Sequence, residues 1–415
     1  MAAFVAGAEI PLKRRLRQAE RARQFKALAL VLPLLAFLLF TFLVPIGGML
    51  WRSVDDWEVR EVLPQTASAL ATWDGKDLPG EPAYAALAAD VRQAYADRTL
   101  AIAAKRLNYV VNGFRTLLTK TGRALKAQPE AGQAKATLVG IDPAWGERST
   151  WAAIKSARGP VTDHYLLAAL DLQRNVDGAI VEAPADQAIY RGVFMRTFGI
   201  GLGVTLACLI LGFPVAYLLA TLPPKQSNLL MIFVLLPFWT SLLVRTCAWI
   251  VLLQDQGLIN DALRWTGVTD TPLRLIYNRF GVFVAMTHVL LPFMILPLYS
   301  VMKAISPAYM RAAASLGAPP ATAFVRIYLP QTLPGIGAGS LLVFILAIGY
   351  YITPALVGGA GDQMISYFIA FYTTDTVNWG LASALGAVLL AATLVLAVVY
   401  GKLVHGTATT GGIKN

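Results

Sequence analysis

The sequence predicts an all-α polytopic membrane protein, and three observations carry that prediction. Charged residues are 14% of its 415 positions, about half the roughly 25% usual in a soluble protein. Mean hydropathy is +0.57. Six apolar stretches reach the roughly 20 residues a helix needs to cross a hydrocarbon core: about 27–51, 193–220, 229–253, 281–303, 331–357 and 380–404.

The chain opens on residues 1–26, where LKRRLRQAERARQFK places Lys13, Arg14, Arg15, Arg17, Arg21, Arg23 and Lys26 just ahead of the first span. Cations beside a span's end are retained in the cytoplasm, so this run reads as a topogenic signal. The formal net charge of +11 is therefore not taken as a nucleic-acid footprint; membrane lipid is the expected neighbour. The apolar run that follows is too long for a cleavable signal peptide, and no A-x-A-like site follows it. With the N-terminus inside, six spans return the tail 406–415 to the inside, near Lys402, His405 and Lys414. The segment TLPPKQSN (221–228) then faces the cytoplasm, and 254–280 and 358–379 face outward. Arg264, Arg274 and Arg279 in the first of these outer loops run against the positive-inside bias, and Asp255, Asp261 and Asp270 offset them little.

Between the first two spans lies an extracytoplasmic segment, 52–192, too long to be a loop. Over 52–190 it holds 16 Lys or Arg and 17 Asp or Glu, whereas the rest of the chain holds 19 and 7. A near-neutral segment of 139 residues with soluble-protein charge content is large enough for a core of its own. Its alanine-rich middle puts Leu87, Val91, Tyr95 and Ile102 at helical spacing, so a mainly helical domain is expected, with turns near Pro129–Gly132 and at Gly159–Pro160. It contains no cysteine, no H-E-x-x-H and a single histidine, His164. Nothing in it asks for an enzyme, and a stabilising domain or one that docks an external protein is expected.

The two cysteines, Cys208 and Cys247, both fall in apolar spans and read as small buried residues rather than a disulfide or metal pair. No metal site and no cofactor is expected.

In the third span Arg245 stands out, because charge inside a bilayer is costly and usually functional. It lines a polar path between the helices, pairs with a carboxylate such as Asp255, or snorkels to the outer surface. Trp239 and Trp249 nearby, and Tyr350, Tyr351 and Thr353 in the fifth span, are the other pathway candidates. Aromatic faces attract ammonium groups, but tryptophan and tyrosine also gather at membrane interfaces. His288 in the fourth span reads as a hydrogen-bonded packing residue. Pro214, Pro237, Pro292, Pro297 and Pro354 break or kink helices, which a membrane tolerates where backbone faces a cavity or a neighbour.

Between the fourth and fifth spans runs RAAASLGAPPATAFVRIYLP, Arg311 to Pro330. Ser306-Pro307 suits a helix start. Gly317 suits a left-handed helix end. Pro319 and Pro320 force a turn and start a second short helix, which Pro330 closes before the next span. A helix–turn–helix on the cytoplasmic face, with its coupling segment at 306–323, has small residues that let another protein approach closely; its candidate docking residues are Ser306, Arg311, Ala312, Ala313, Ser315, Leu316, Gly317, Ala318 and Pro319.

Ala312, Ala313, Gly317, Ile327, Leu329 and Pro330 fall on the spacing A-A-x3-G-x9-I-x-L-P. That pattern resembles the cytoplasmic "EAA" signature of permease subunits of type I ABC importers. The stretches 237–260 and 333–359 resemble the spermidine/putrescine-type branch. The resemblance covers about 25–51 and 193–405; the segment 52–190 lies outside it. It implies the six-helix permease fold and an assembly with two copies of an ABC ATPase, a second permease chain and an external solute-binding protein. It also implies a polyamine as the solute and the bacterial inner membrane as the location. The glutamate that opens the signature is Arg311 here, which implies a compensating acidic residue on the ATPase or docking by shape. No G-x-x-x-x-G-K-[ST] phosphate loop occurs in the chain, so ATP chemistry is expected on another polypeptide. Because Arg245 suits an anionic or zwitterionic solute, an amino-acid-, opine- or phosphonate-like cargo is the alternative. An ion-coupled transporter would show internal repeats or intramembrane carboxylates, and the spans have neither. A membrane-anchored receptor would need neither six spans nor the cytoplasmic peg.

Overall fold

The computed structural model describes residues 12–409, with side chains for 23 and 25–402. Of the basic run, Lys13, Arg14, Arg15, Arg17 and Arg21 lie outside the described side chains, as does His405; residues 1–11 and the tail from 410, with Lys414, lie outside the described residues.

The first unit ends at Arg52, and its described residues begin at Leu12. It is a single rod: helix Leu12–Leu38, a π-helical turn Leu39–Leu43, and helix Val44–Arg52. Within the rod, Phe25–Arg52 is long and apolar enough to span a bilayer. Pro33 sits inside the first helix, and Thr41 Oγ1 donates back to the Phe37 carbonyl at 2.7 Å within the π turn. Both are accommodations that helices adopt where water cannot satisfy the backbone.

The second unit runs from Ser53. Its first part, to about 189, is built of eight short α-helices, of which Glu81–Ala96, Leu100–Asn108 and Phe114–Ala124 frame the core. Leu87 and Val91 are fully buried there with Tyr84, Leu107, Leu118, Trp145 and Trp151. Tyr95 and Ile102, read from spacing as part of the same stripe, are instead exposed. Ile102 lies beyond a turn at 97–99, on a second helix with its own face, and Tyr95 sits one residue before the first helix ends, past the stretch that packs on the core. The expected turns occur at 125–133 and 157–160. The insert also holds one small antiparallel hairpin that the sequence did not suggest, with Leu172 opposite Glu182, Gln173 opposite Val181 and Arg174 opposite Ile180.

The membrane-length segments of this unit are Tyr190–Thr221, Leu242–Trp265, Arg279–Ala304, Pro320–Gly349 and Trp379–Lys402; the second of these is interrupted at 254–257, between helices Leu242–Leu253 and Leu258–Trp265. The second, fourth and fifth spans form the packed centre around Val204, Cys208, Met286, Leu290, Met294 and Val343. Without a hydrophobic drive between helices in lipid, such packing depends on small residues. A Cβ at Gly203 would overlap the Phe283 ring, and one at Gly339 would meet Met294.

Three features differ from the sequence reading. The third span is not one helix over 229–253. It comprises Pro224–Leu235, a 3-10 turn Leu236–Trp239, extended residues Thr240 and Ser241, and helix Leu242–Leu253. Pro237, which has no N–H to donate, falls at this break, whereas Pro214, Pro292 and Pro297 lie inside continuous helices. The fifth span begins earlier and ends earlier than 331–357. The helix Pro320–Ala323 runs through a π turn, Phe324–Tyr328, into Leu329–Gly349, and the chain then breaks at Tyr350 and Tyr351 before a short helix, Ile352–Val357. Pro330 therefore does not close the coupling segment. It occupies the first turn after the π segment, where helix continues through it. Cys208 is buried as expected, but Cys247, on the helix Leu242–Leu253, is exposed.

Candidate coupling segment and translocation pathway

The coupling segment starts at Ser306, whose Oγ accepts the Ala308 N–H at 3.3 Å. The helix Ala308–Ser315 follows. It ends as the sequence predicts: Gly317 has φ +78, its N–H bonds the Ala314 carbonyl at 3.0 Å, and the Ala318 N–H bonds the Ala313 carbonyl at 3.0 Å. This paired closure is the Schellman arrangement, which needs a left-handed residue at the corner. Proline then restarts the chain at Pro320.

The segment has two faces. Ala313 (4% exposed) and Ala323 are buried, and Met310 and Phe324 pack on the membrane core. Ser306, Arg311, Ala312, Ser315, Gly317 and Pro319 are exposed, Ala318 is half-buried, and Leu316 stands out as a knob at 88% exposed. Nothing lies within 4 Å of where a Gly317 Cβ would be, so the corner is open to an incoming surface. The inner face leads to a ring cluster. Tyr217, near the end of the second span, meets Phe324 and Tyr328 edge-on at 5.7 Å and 5.3 Å, and those two rings stack at 5.6 Å. Packed aromatics thus join the segment to the second and fifth spans.

The pathway candidates separate. Arg245, Thr246 and Trp249 share the Leu242 helix. Trp249 Nε1 donates to His288 Nδ1 at 3.1 Å, joining the third and fourth spans. Thr246 Oγ1 and Thr353 Oγ1 lie 3.3 Å apart, joining the third span to the helix after the break. Arg245 lies within electrostatic reach of both His288 and Tyr350. The structure therefore gathers Arg245, Trp249, His288, Tyr350 and Thr353 around two interrupted helices. It does not gather Trp239, which is 89% exposed on the 3-10 turn, and Tyr351 is also exposed. Asp255 is exposed and makes no ion pair with Arg245; among the described residues Arg245 has none, and its Nε is buried without a hydrogen bond.

Sequence reasoning missed how the insert meets the bundle. Asp171 accepts the N–H groups of Tyr190 and Arg191 at 2.8 Å and 2.7 Å, capping the second span. Lys105 Nζ donates to the Val377 carbonyl at 3.1 Å, and the Tyr165 ring occupies the notch left by Gly380 in the sixth span. An aspartate some 19 residues before a span has no local signal as a cap. Within the insert, Arg106 holds Asp56 through two bonds, of 2.7 Å and 2.6 Å, in a fully buried pair beneath Tyr165. Burial pushes the Asp56 carboxyl up, against the pull of Arg106. Among the described residues no group of His, Cys, Asp and Glu could hold a metal ion.

Residues 209–408 match the family described as binding-protein-dependent transport system inner membrane component. The chain is 36% identical over 214 residues to the spermidine/putrescine transport system permease protein PotB of Escherichia coli, an alignment covering 52% of this chain and 78% of that protein. It is 34% identical over 212 residues to PotB of Haemophilus influenzae, covering 51% and 74%. It is 34% identical over 191 residues to the inner membrane ABC transporter permease protein YdcU of Escherichia coli, covering 43% and 59%. With six membrane-length helices and more than two thirds of such a relative aligned, the chain belongs to the binding-protein-dependent inner-membrane permeases of ABC transporters.

Proposed function

We infer that the chain is the membrane-spanning subunit of an ATP-driven importer that carries a polyamine, spermidine or putrescine, across the bacterial inner membrane. The observation that carries this reading is the 36% identity over 214 residues to a spermidine/putrescine permease, 78% of which is aligned. The chain has no phosphate loop, so two copies of a separate ATPase supply the energy, a second permease chain completes the pathway, and a solute-binding protein delivers the cargo. The basic N-terminus and the tail are cytoplasmic, and the insert is extracytoplasmic.

The segment 306–323 receives the ATPase. Leu316 and the open corner at Gly317 fit its groove, and Arg311, exposed beside them, meets an acidic residue there. When ATP closes the ATPase pair, the Tyr217–Phe324–Tyr328 cluster passes the movement to the second and fifth spans. In the pathway, Trp249 and Tyr350 offer ring faces to an ammonium group, each worth about 0.5–2 kcal/mol. Arg245 is permanently cationic and is no ligand for an amine. Placed beside those rings, it weakens the hold on a polycation so that the solute moves on.

The test is uptake by the complete transporter in proteoliposomes, with its solute-binding protein and labelled spermidine or putrescine. ATP-dependent accumulation that needs the binding protein is expected. Accumulation of an amino acid or phosphonate without any polyamine uptake would overturn the substrate, and uptake driven by a proton gradient without ATP would overturn the machinery.

A further inference from the structure

The insert as a whole is nearly neutral, but its charges are segregated. From Arg98 to Pro129 the chain carries seven Lys or Arg and no Asp or Glu. The helix Phe114–Ala124 displays this excess. Its inner face, Phe114, Leu117, Leu118 and Thr121, is buried in the insert core, while Arg115, Thr116, Lys120 and Arg123 are exposed. Together with Thr119 and Ala124 these exposed residues line a shallow groove of about 540 Å³. Lys120 pairs with Asp142 at 2.7 Å. Arg115, Arg123 and the neighbouring Lys126 make no ion pair among the described residues.

We propose that this groove is a docking surface for an acidic face of the solute-binding protein, a proposal that rests on the importer reading above. Three arguments select that occupant. A basic groove repels a polyamine, so it is no site for the solute itself. A helix that lies in a membrane interface must sink an apolar face into lipid, and this helix has spent its apolar face on the insert core. The neighbouring helix Leu100–Asn108, which packs along it, is tied through Lys105 to the Val377 carbonyl, just ahead of the sixth span. A protein held in the groove therefore sits one helix away from the membrane bundle. Cations left unpaired at such a surface speed encounter and select partners of opposite sign.

The experiment uses the complete transporter in nanodiscs of phosphatidylcholine and its spermidine-loaded solute-binding protein. Binding is measured at two salt concentrations, alongside the ATPase activity that the binding protein stimulates. In the double variant Arg115→Glu, Arg123→Glu, the Kd is expected to rise about tenfold or more and to lose most of its salt dependence, while Arg115→Lys, Arg123→Lys stays near wild type. An unchanged Kd in the charge-reversed variant, with polyamine-stimulated ATPase intact, would overturn the docking surface and leave the importer reading standing. Charge reversal that leaves the Kd alone but abolishes association with vesicles containing phosphatidylglycerol would assign the groove to lipid, and would overturn it too. A wild-type transporter that neither binds the protein nor responds to spermidine would sink both readings.

Discussion

At Gly380 one missing methyl decides how the insert joins the bundle. A Cβ there would overlap the Tyr165 ring, and Tyr165 is buried within a cluster that includes Val193, Ile365, Leu381 and Leu385. The ring has nowhere to swing, so the strain falls on the seam. Gly380→Ala is expected to destabilise the transporter by about 1–3 kcal/mol, read as a lower thermal midpoint in detergent. Shortening the partner in Tyr165→Leu should recover part of that loss. A midpoint unchanged by Gly380→Ala would show that the insert is not held there. Neither residue announced itself in the sequence: a glycine two positions into an apolar span and a tyrosine in a helical run are ordinary until the fold sets them face to face.

Among the elements, the coupling segment shows how local chemistry and tertiary packing divide the work. Its helix and its corner follow from Ser306, Gly317 and Pro319 alone. Its polarity, with Ala313 inward and Leu316 outward, follows only from the bundle beneath it. Leu316→Glu changes nothing buried, so it should leave thermal stability unaltered and yet reduce recovery of the ATPase in a mild-detergent pull-down by about tenfold, through a charge forced into an apolar groove. Gly317→Ala instead strains a left-handed corner by about 1 kcal/mol, a smaller effect on recovery. Equal recovery in wild type and Leu316→Glu would move the docking site away from this corner. The broken third and fifth spans belong to the same scale. Their interruptions, at 236–241 and at 350–351, leave backbone without helical partners, and such backbone survives at membrane depth only against protein or a cavity. Arg245, Trp249, Tyr350 and Thr353 collect around these breaks.

For the whole molecule, sidedness is the property on which the assignments to ATPase and binding protein depend. The basic N-terminus sets it in one direction, while Arg264, Arg274 and Arg279 in the loop after the third span weigh against it. Arg264 pairs with Asp261, and Arg279 reaches Asp362 at 3.1 Å. Both arginines thus have local structural work that accounts for their position. A cysteine placed at Gln128→Cys, in a background with Cys208 and Cys247 changed to alanine, should react with a membrane-impermeant maleimide in cells whose outer membrane alone is opened. Reaction only after the inner membrane is breached would invert the topology and exchange the proposed partners.

By itself the sequence determined what depends on length, composition and neighbouring residues: six bilayer-long apolar runs, a separate near-neutral segment after the first, a glycine-cornered connector with the spacing of the permease family, and the lack of a phosphate loop. These were legible because hydrophobicity and backbone preference act over a few turns of chain. The tertiary structure decided what depends on distance across the fold. It split the third span, carried the coupling segment through Pro330 into the fifth, exposed Cys247, paired Trp249 with His288, left Arg245 without Asp255, and closed Asp171, Lys105 and Tyr165 onto spans far away in sequence. A hydrogen bond or a steric notch between residues 19 to 272 positions apart leaves no periodic trace in the chain, since its energy exists only once both elements are folded and packed.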